Sequence, residues 1–81
     1  MRRAAVSIPS NLAEGAGRST SKDYRRFVVQ ARGSVLELQT QILIAGELGF
    51  IDEHAHAALK ERAADIGKIL NGLIRYLTPN T

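Results

Sequence analysis

The sequence predicts an all-α fold, a single antiparallel up-and-down helical bundle with helices at about residues 1–14, 21–48 and 52–77. Apolar residues recur at alternating steps of three and four along most of the chain, which is the spacing of the buried side of a helix. No segment alternates apolar and polar residues as a half-buried strand does. Glycines and capping residues separate the periodic segments and place the turns between three helices.

The composition indicates one small domain that spans residues 1–81. Apolar residues make up 44% of the chain and charged residues 23%, as in ordinary globular proteins. A chain of this length buries a small core, and without cysteine it has neither disulfides nor thiolate metal sites to stabilise it. Oligomerisation is the remaining way to stabilise so small a domain. Because the apolar runs are short and no signal-peptide pattern is present, we expect a cytoplasmic protein.

The first helix is predicted to have one apolar side that needs a partner. Pro9 lies in its middle, where a proline removes a backbone hydrogen bond and crowds the preceding turn. Either the helix continues with a kink, or it restarts with Ser7 as the N-cap and Pro9 in the first turn. The unbroken apolar side favours the continuous helix. That side consists of Met1, Ala4, Ala5, Ile8 and Leu12.

Gly15 and Gly17 predict the first turn, with one of them in the left-handed conformation that ends a helix. Thr20 followed by Asp23 is a capping box, so a second helix is expected to begin near Ser21. Two glycines before a helix N-terminus could also hold a phosphate. They follow a helix rather than a strand and lack the lysine of a P-loop, so a plain turn is favoured.

The second helix carries two apolar stripes. The first is a bundle seam with steps of four and three residues, formed by Tyr24, Val28, Ala31, Val35, Leu38, Ile42 and Ala45. The second stripe lies about 120° around the helix from the seam and consists of Val29, Leu36, Leu43 and Phe50. Two stripes indicate neighbours on two sides, so the second stripe is predicted to be an oligomer interface. The alternative is that Leu36 and Leu43 widen a single core face.

The third helix follows a turn that contains Gly49, and Asp52 is predicted to be its N-cap. Pro79 ends it. Gly67 and Gly72 in its interior each cost about 1 kcal/mol relative to alanine, so we expect close backbone approach at both. Its buried side consists of Leu59, Ala63, Ile66, Leu70, Leu73 and Leu77.

Positive charge is concentrated in the first part of the chain. Residues 1–32 hold seven basic and two acidic residues, a net charge of +5, whereas the rest holds four basic and six acidic residues, a net charge of −2. Such an electropositive end is typical of a protein that binds phosphates or an acidic partner. The alternative is a solvated basic face without a ligand. The candidate nucleic-acid-binding residues are Arg2, Arg3, Arg18, Lys22, Arg25, Arg26 and Arg32.

No combination of residues predicts catalysis or a cofactor. His54 and His56 point about 200° apart on a helix and cannot bind one metal ion together. Ser7 and Ser10 have no histidine nearby in sequence, and Glu14 on the same side is expected to join them in a polar network between helices. We therefore expect a protein that is not an enzyme, with no metal, no cofactor, no small-molecule substrate and no membrane partner.

Three segments resemble the 23S rRNA intervening-sequence protein family, whose members are also called four-helix bundle proteins. They are RRAAVSIPSNLAEGAGR, SKDYRRFVVQARGSVLELQTQILIAGELGFI and IGKILNGLIRYL, and together they cover nearly the whole chain. The family's first motif corresponds here to Arg2, Arg3, Pro9, Ser10, Asn11, Glu14, Gly15, Gly17 and Arg18. Members usually carry a further helix before this motif, so the resemblance implies a chain without that helix or a fold completed by other subunits.

The resemblance also implies a ring-like homo-oligomer, typically a pentamer, with no assigned catalytic residue. A related group, the accessory proteins of diversity-generating retroelements, forms basic pentamers that bind reverse transcriptase and nucleic acid. We therefore expect a homo-oligomer that binds RNA or another nucleic acid through its N-terminal basic region. The alternative is a protein-interaction scaffold whose second stripe docks a protein partner.

Overall fold

The computed structural model describes residues 2–79, which form three α-helices and, within that range, no strand. The helices are α1 (Arg2–Ala16), α2 (Ser21–Glu47) and α3 (Glu53–Leu77). The predicted all-α bundle is confirmed, and the observed bounds differ from the predicted ones by at most two residues. Met1, the predicted start of the first apolar side, lies outside the described residues. No helix in the described range is long and apolar enough to cross a bilayer.

Both predicted N-caps are confirmed. Thr20 precedes α2 in an extended conformation, and its hydroxyl accepts a 3.1 Å hydrogen bond from the Asp23 backbone N–H. Asp52 does the same for α3, where its carboxylate accepts a 2.7 Å bond from the N–H of Ala55. Each cap satisfies a backbone donor that the first turn of a helix leaves without a partner.

Helix α2 is the central element, and α1 and α3 pack on either side of it. The Cα atoms occupy a flat layer of 45 × 23 × 13 Å. Because α1 and α3 do not pack directly on each other within residues 2–79, an apolar groove of about 360 Å³ remains between them above α2. Its lining residues, called the apolar groove below, are Ala5, Leu38, Ile42, Leu59, Ala63 and Ile66, with Arg2 and Arg62.

The core is small, and the predicted seam of α2 forms its centre. Val28, Ala31 and Val35 are almost completely buried, and they contact Leu70 of α3 and Ile8 of α1 within one cluster. The other buried apolar residues are Ala4, Ile42, Ala45, Ala63 and Leu77. Since many of these side chains are short, the helices pack closely but remove little apolar surface from water.

Helix α1 is continuous through Pro9, as the unbroken apolar side predicted. The predicted left-handed glycine at its end is wrong. Gly15 lies inside the helix, and among the described residues only Gly49 has a positive φ, of 76°. Gly15 is buried against α2. A Cβ at this position would lie 2.8 Å from Cδ1 of Tyr24 and 2.9 Å from Cβ of Phe27. Glycine permits α1 to approach α2.

The close approach predicted at Gly67 and Gly72 is also wrong. A Cβ at Gly67 would make an ordinary 3.8 Å contact with Val35, and one at Gly72 would come no closer than 4.0 Å to Arg75. The second close approach is at Gly46, where a Cβ would lie 2.7 Å from Cδ2 of the His56 ring. The tight approaches are therefore at Gly15, against α2, and at Gly46, against the His56 side chain, and not in the interior of α3.

Candidate nucleic-acid interface

Three of the predicted basic residues surround one groove between the start of α2 and the end of α3. Lys22, Arg25 and Arg26 project from the first turns of α2, and Ile74 faces them from α3 because the two helices are antiparallel. The groove has a volume of about 450 Å³, and most of its exposed lining is apolar. Its lining residues, called the basic groove below, are Lys22, Asp23, Arg25, Arg26, Val29, Gln30, Ile74 and Thr78.

The basic groove has an excess of positive charge. It contains three cations and one carboxylate, that of Asp23. Within residues 2–79 the only ion pair joins Arg18 and Glu14, so the three cations of the groove form none there. The N-terminal end of α2 adds a partial positive charge at the same place. An anion that enters the groove therefore does not have to displace an internal carboxylate from these side chains.

Phe27 contacts two guanidinium groups, that of Arg26 in the groove and that of Arg18 beside it. The Cζ atom of Arg26 lies 4.9 Å from the centre of the Phe27 ring, and that of Arg18 lies 4.8 Å from it. Arg18 also donates a 2.9 Å hydrogen bond to Glu14. Attraction between a cation and an aromatic ring offsets part of the repulsion between two neighbouring arginines. Phe27 thus brings the two guanidinium groups to one side of α2.

The remaining predicted basic residues lie elsewhere. Arg32 is two turns further along α2 and donates a 3.3 Å hydrogen bond to Asn71 of α3. Arg2 and Arg3 lie at the opposite end of α1 from Arg18, about 20 Å away at 1.5 Å per residue. Arg2 borders the apolar groove instead. The structure therefore brings together four of the seven candidates, Arg18, Lys22, Arg25 and Arg26.

The polar network predicted between the helices has different members. The hydroxyls of Ser7 and Ser34 are 2.8 Å apart, and Asn11 donates to both the carbonyl and the hydroxyl oxygen of Ser7. Glu14 pairs with Arg18 and Ser10 is exposed, so neither belongs to it. These bonds join α1 to α2 and satisfy groups that the helix contact partly buries.

The second stripe lies on the surface of the chain. Val29, Leu36 and Leu43 are 40%, 59% and 52% exposed, and Phe50 is 77% exposed in the turn beyond α2. Leu36 and Leu43 therefore do not widen the core face of this chain, which was the alternative interpretation. Val29 belongs to two surfaces, since it lies on the second stripe and also lines the basic groove.

Sequence reasoning missed the contribution of α3 and the role of Phe27. The antiparallel pairing of α2 and α3 sets the end of one beside the start of the other, and this topology could have indicated Ile74 and Thr78. Nothing in the sequence assigned a role to Phe27. Its contacts with two arginines depend on side-chain conformations that no sequence pattern specifies.

These features define a class of protein: a small basic three-helix layer with a cationic groove at one end and uncovered apolar surface. The sequence profile of the 23S rRNA-intervening sequence protein family matches residues 1–72. The chain belongs to this family. No curated protein matches it.

Proposed function

We propose that this protein is a non-enzymatic homo-oligomeric helical bundle that binds RNA through the basic groove. The observation that carries the proposal is the set of three cations, Lys22, Arg25 and Arg26, that form no ion pair within residues 2–79 and surround one groove. Arg18 lies beside them on the Phe27 ring, where it is paired with Glu14. The family's name, which refers to sequences that interrupt 23S rRNA, supports RNA as the nucleic acid. The proposal places the protein in the cytoplasm.

The chemistry of the groove favours contacts with phosphates over contacts with base edges. Lysine and arginine bind phosphate oxygens through charge-assisted hydrogen bonds, and the counterions they release make the affinity depend on salt. Such contacts position a nucleic acid but carry no direct sequence information. The proposal therefore entails weak sequence preference and strong salt dependence.

Titration of a structured RNA at low ionic strength tests the proposal. We expect saturable binding, measured by fluorescence anisotropy of labelled RNA, and we expect RNAs of unrelated sequence to bind with similar affinity. The absence of binding at low salt would overturn the proposed function.

The homo-oligomer is supported by the amount of uncovered surface. The chain exposes 5867 Å² at a mass of 8.8 kDa, whereas a folded monomer of that mass exposes about 4,800 Å². Its radius of gyration of 14.2 Å compares with about 12 Å for a compact domain of this length. The excess of about 1,100 Å² is more than the roughly 800 Å² that one partner contributes to a stable interface. We propose that Leu36, Leu43 and Phe50 of the second stripe form this interface in a ring of the kind the resemblance implies, and that Val29, which lines the basic groove, lies outside it.

Charges placed on the second stripe are expected to dissociate the oligomer. The double substitution Leu36→Asp and Leu43→Asp would bury two carboxylates in the interface, which costs several kcal/mol per ion. Light scattering after size exclusion should show an oligomer for the unmodified chain and a lower mass for the variant. Ala57→Asp with Ala58→Asp, at exposed positions of α3, is the matched control and should leave the mass unchanged. A variant with the original mass would show that the interface lies elsewhere.

The exposed second stripe also favours one alternative function, a scaffold that binds another protein. Leu36 and Leu43 together present apolar surface that a different partner could cover. Affinity capture with and without digestion of RNA separates the two functions. The scaffold predicts a partner that is lost with Leu36→Asp but survives the digestion.

A further inference from the structure

The floor of the basic groove is apolar, and phosphate contacts alone do not use it. Val29 of α2 is 40% exposed and Ile74 of α3 is half-buried, and both line the groove together with the cations. A ligand that offers only phosphate leaves this floor in water. A ligand that also offers a flat apolar part gains the free energy of covering it.

A nucleotide whose base is not stacked in a helix offers both parts. We infer that the basic groove binds unpaired nucleotides, with the base against Val29 and Ile74 and the flanking phosphates on Lys22, Arg25 and Arg26. This inference rests on the proposed function and narrows it from RNA in general to single-stranded or looped RNA. The groove volume of about 450 Å³ lies within the usual range of about 300–1,000 Å³ for small-molecule sites.

The arginine geometry favours the same ligand. The guanidinium group of Arg26 lies beside the groove, 4.9 Å from the centre of the Phe27 ring. A guanidinium plane can also stack on a base that has left its own helix. In a regular duplex the bases are stacked on each other, and a duplex would contact the cations without reaching the floor between them.

An abasic strand separates contacts with bases from contacts with phosphates. We measure the affinity of a short single-stranded RNA, of the same strand with abasic residues, and of the same strand in a full duplex. The intact strand should bind about fivefold or more tightly than the abasic strand, because the base covers an apolar floor of roughly one side chain. The duplex should bind no better than the abasic strand at equal salt.

Two matched variants assign the difference to the groove. Val29→Gln replaces the floor with a polar side chain and should remove the preference for the intact strand while leaving the abasic affinity unchanged. Leu43→Gln alters the same stripe outside the groove and should keep the preference, which separates the base contact from any effect on the oligomer.

The outcomes distinguish this inference from the function on which it rests. Equal affinity for intact and abasic strands would overturn the inference and leave RNA binding in place. Stronger binding of the duplex, or displacement of RNA from the groove by an acidic amphipathic peptide at lower concentration than by unlabelled strand, would also overturn it. No binding of any of the three nucleic acids would overturn both.

Discussion

The double charge reversal Arg25→Glu with Arg26→Glu is expected to weaken RNA binding by at least about 100-fold, since each charge-assisted contact contributes about 1.5–3 kcal/mol. Both side chains line the basic groove and form no ion pair within residues 2–79. Reversal removes two attractive contacts and adds two repulsive ones beside the remaining cation, Lys22. Anisotropy titration at fixed salt measures the change.

Folding of this variant is expected to survive. Neither side chain belongs to the buried core, and within residues 2–79 the only contact with an aromatic ring that the change removes is that of Arg26 with Phe27. The matched control is Lys60→Glu with Lys68→Glu, two exposed positions outside the groove. Both variants change the net charge from +3 to −1, since +3 − 4 = −1. An equal loss of affinity in both would show that RNA responds to total charge and not to the groove.

Among the glycine-to-alanine substitutions, Gly15→Ala is expected to have the largest effect on the free energy of unfolding. The added Cβ would lie 2.8 Å from a ring atom of Tyr24 and 2.9 Å from Cβ of Phe27, and the second atom cannot move without the backbone of α2. Overpacking of this kind costs about 1–3 kcal/mol, and the helix propensity that alanine gains over glycine offsets at most about 1 kcal/mol of that cost. For a domain of this size that lowers the melting temperature by about 4–8 °C per kcal/mol.

Gly33→Ala is the matched control for this prediction. Gly33 lies inside α2, and a Cβ there would meet nothing within 4 Å. Alanine should therefore stabilise the helix by about 1 kcal/mol. Urea unfolding at one fixed protein concentration compares the two, because the stability of an oligomer depends on concentration. If Gly15→Ala stabilises the protein as Gly33→Ala does, the close contact between α1 and α2 is not formed.

The helices could be predicted because their signals are local. The seam of α2 shows the three-four period of a buried side, and Thr20 and Asp52 are caps within one turn of the groups they satisfy. The conformations of the glycines could not be predicted, because they depend on contacts between helices. Gly15 and Gly17 allow a left-handed end, and only the distance to Tyr24 and Phe27 shows that Gly15 serves helix contact instead.

The candidate site was predicted in part for the same reason. Lys22, Arg25 and Arg26 are neighbours on one helix, so their proximity follows from sequence alone. Arg2 belongs to the same basic part of the sequence, but it lies at the far end of α1 from the groove, because the chain reverses direction between α1 and α2. The apolar wall from Ile74 depends on which helix lies beside the start of α2, and that is a property of the fold.

The salt dependence of RNA affinity is the most direct test of whether the basic groove binds phosphates. For a single strand, each phosphate contact contributes about −0.7 to the slope of log K against log salt. We compare the unmodified chain with a variant in which Lys22, Arg25 and Arg26 are all changed to Gln. Because three phosphate contacts are lost, the slope should be about 2 units smaller in magnitude for the variant. Equal slopes for the two proteins, or a slope near zero for the unmodified chain, would contradict it.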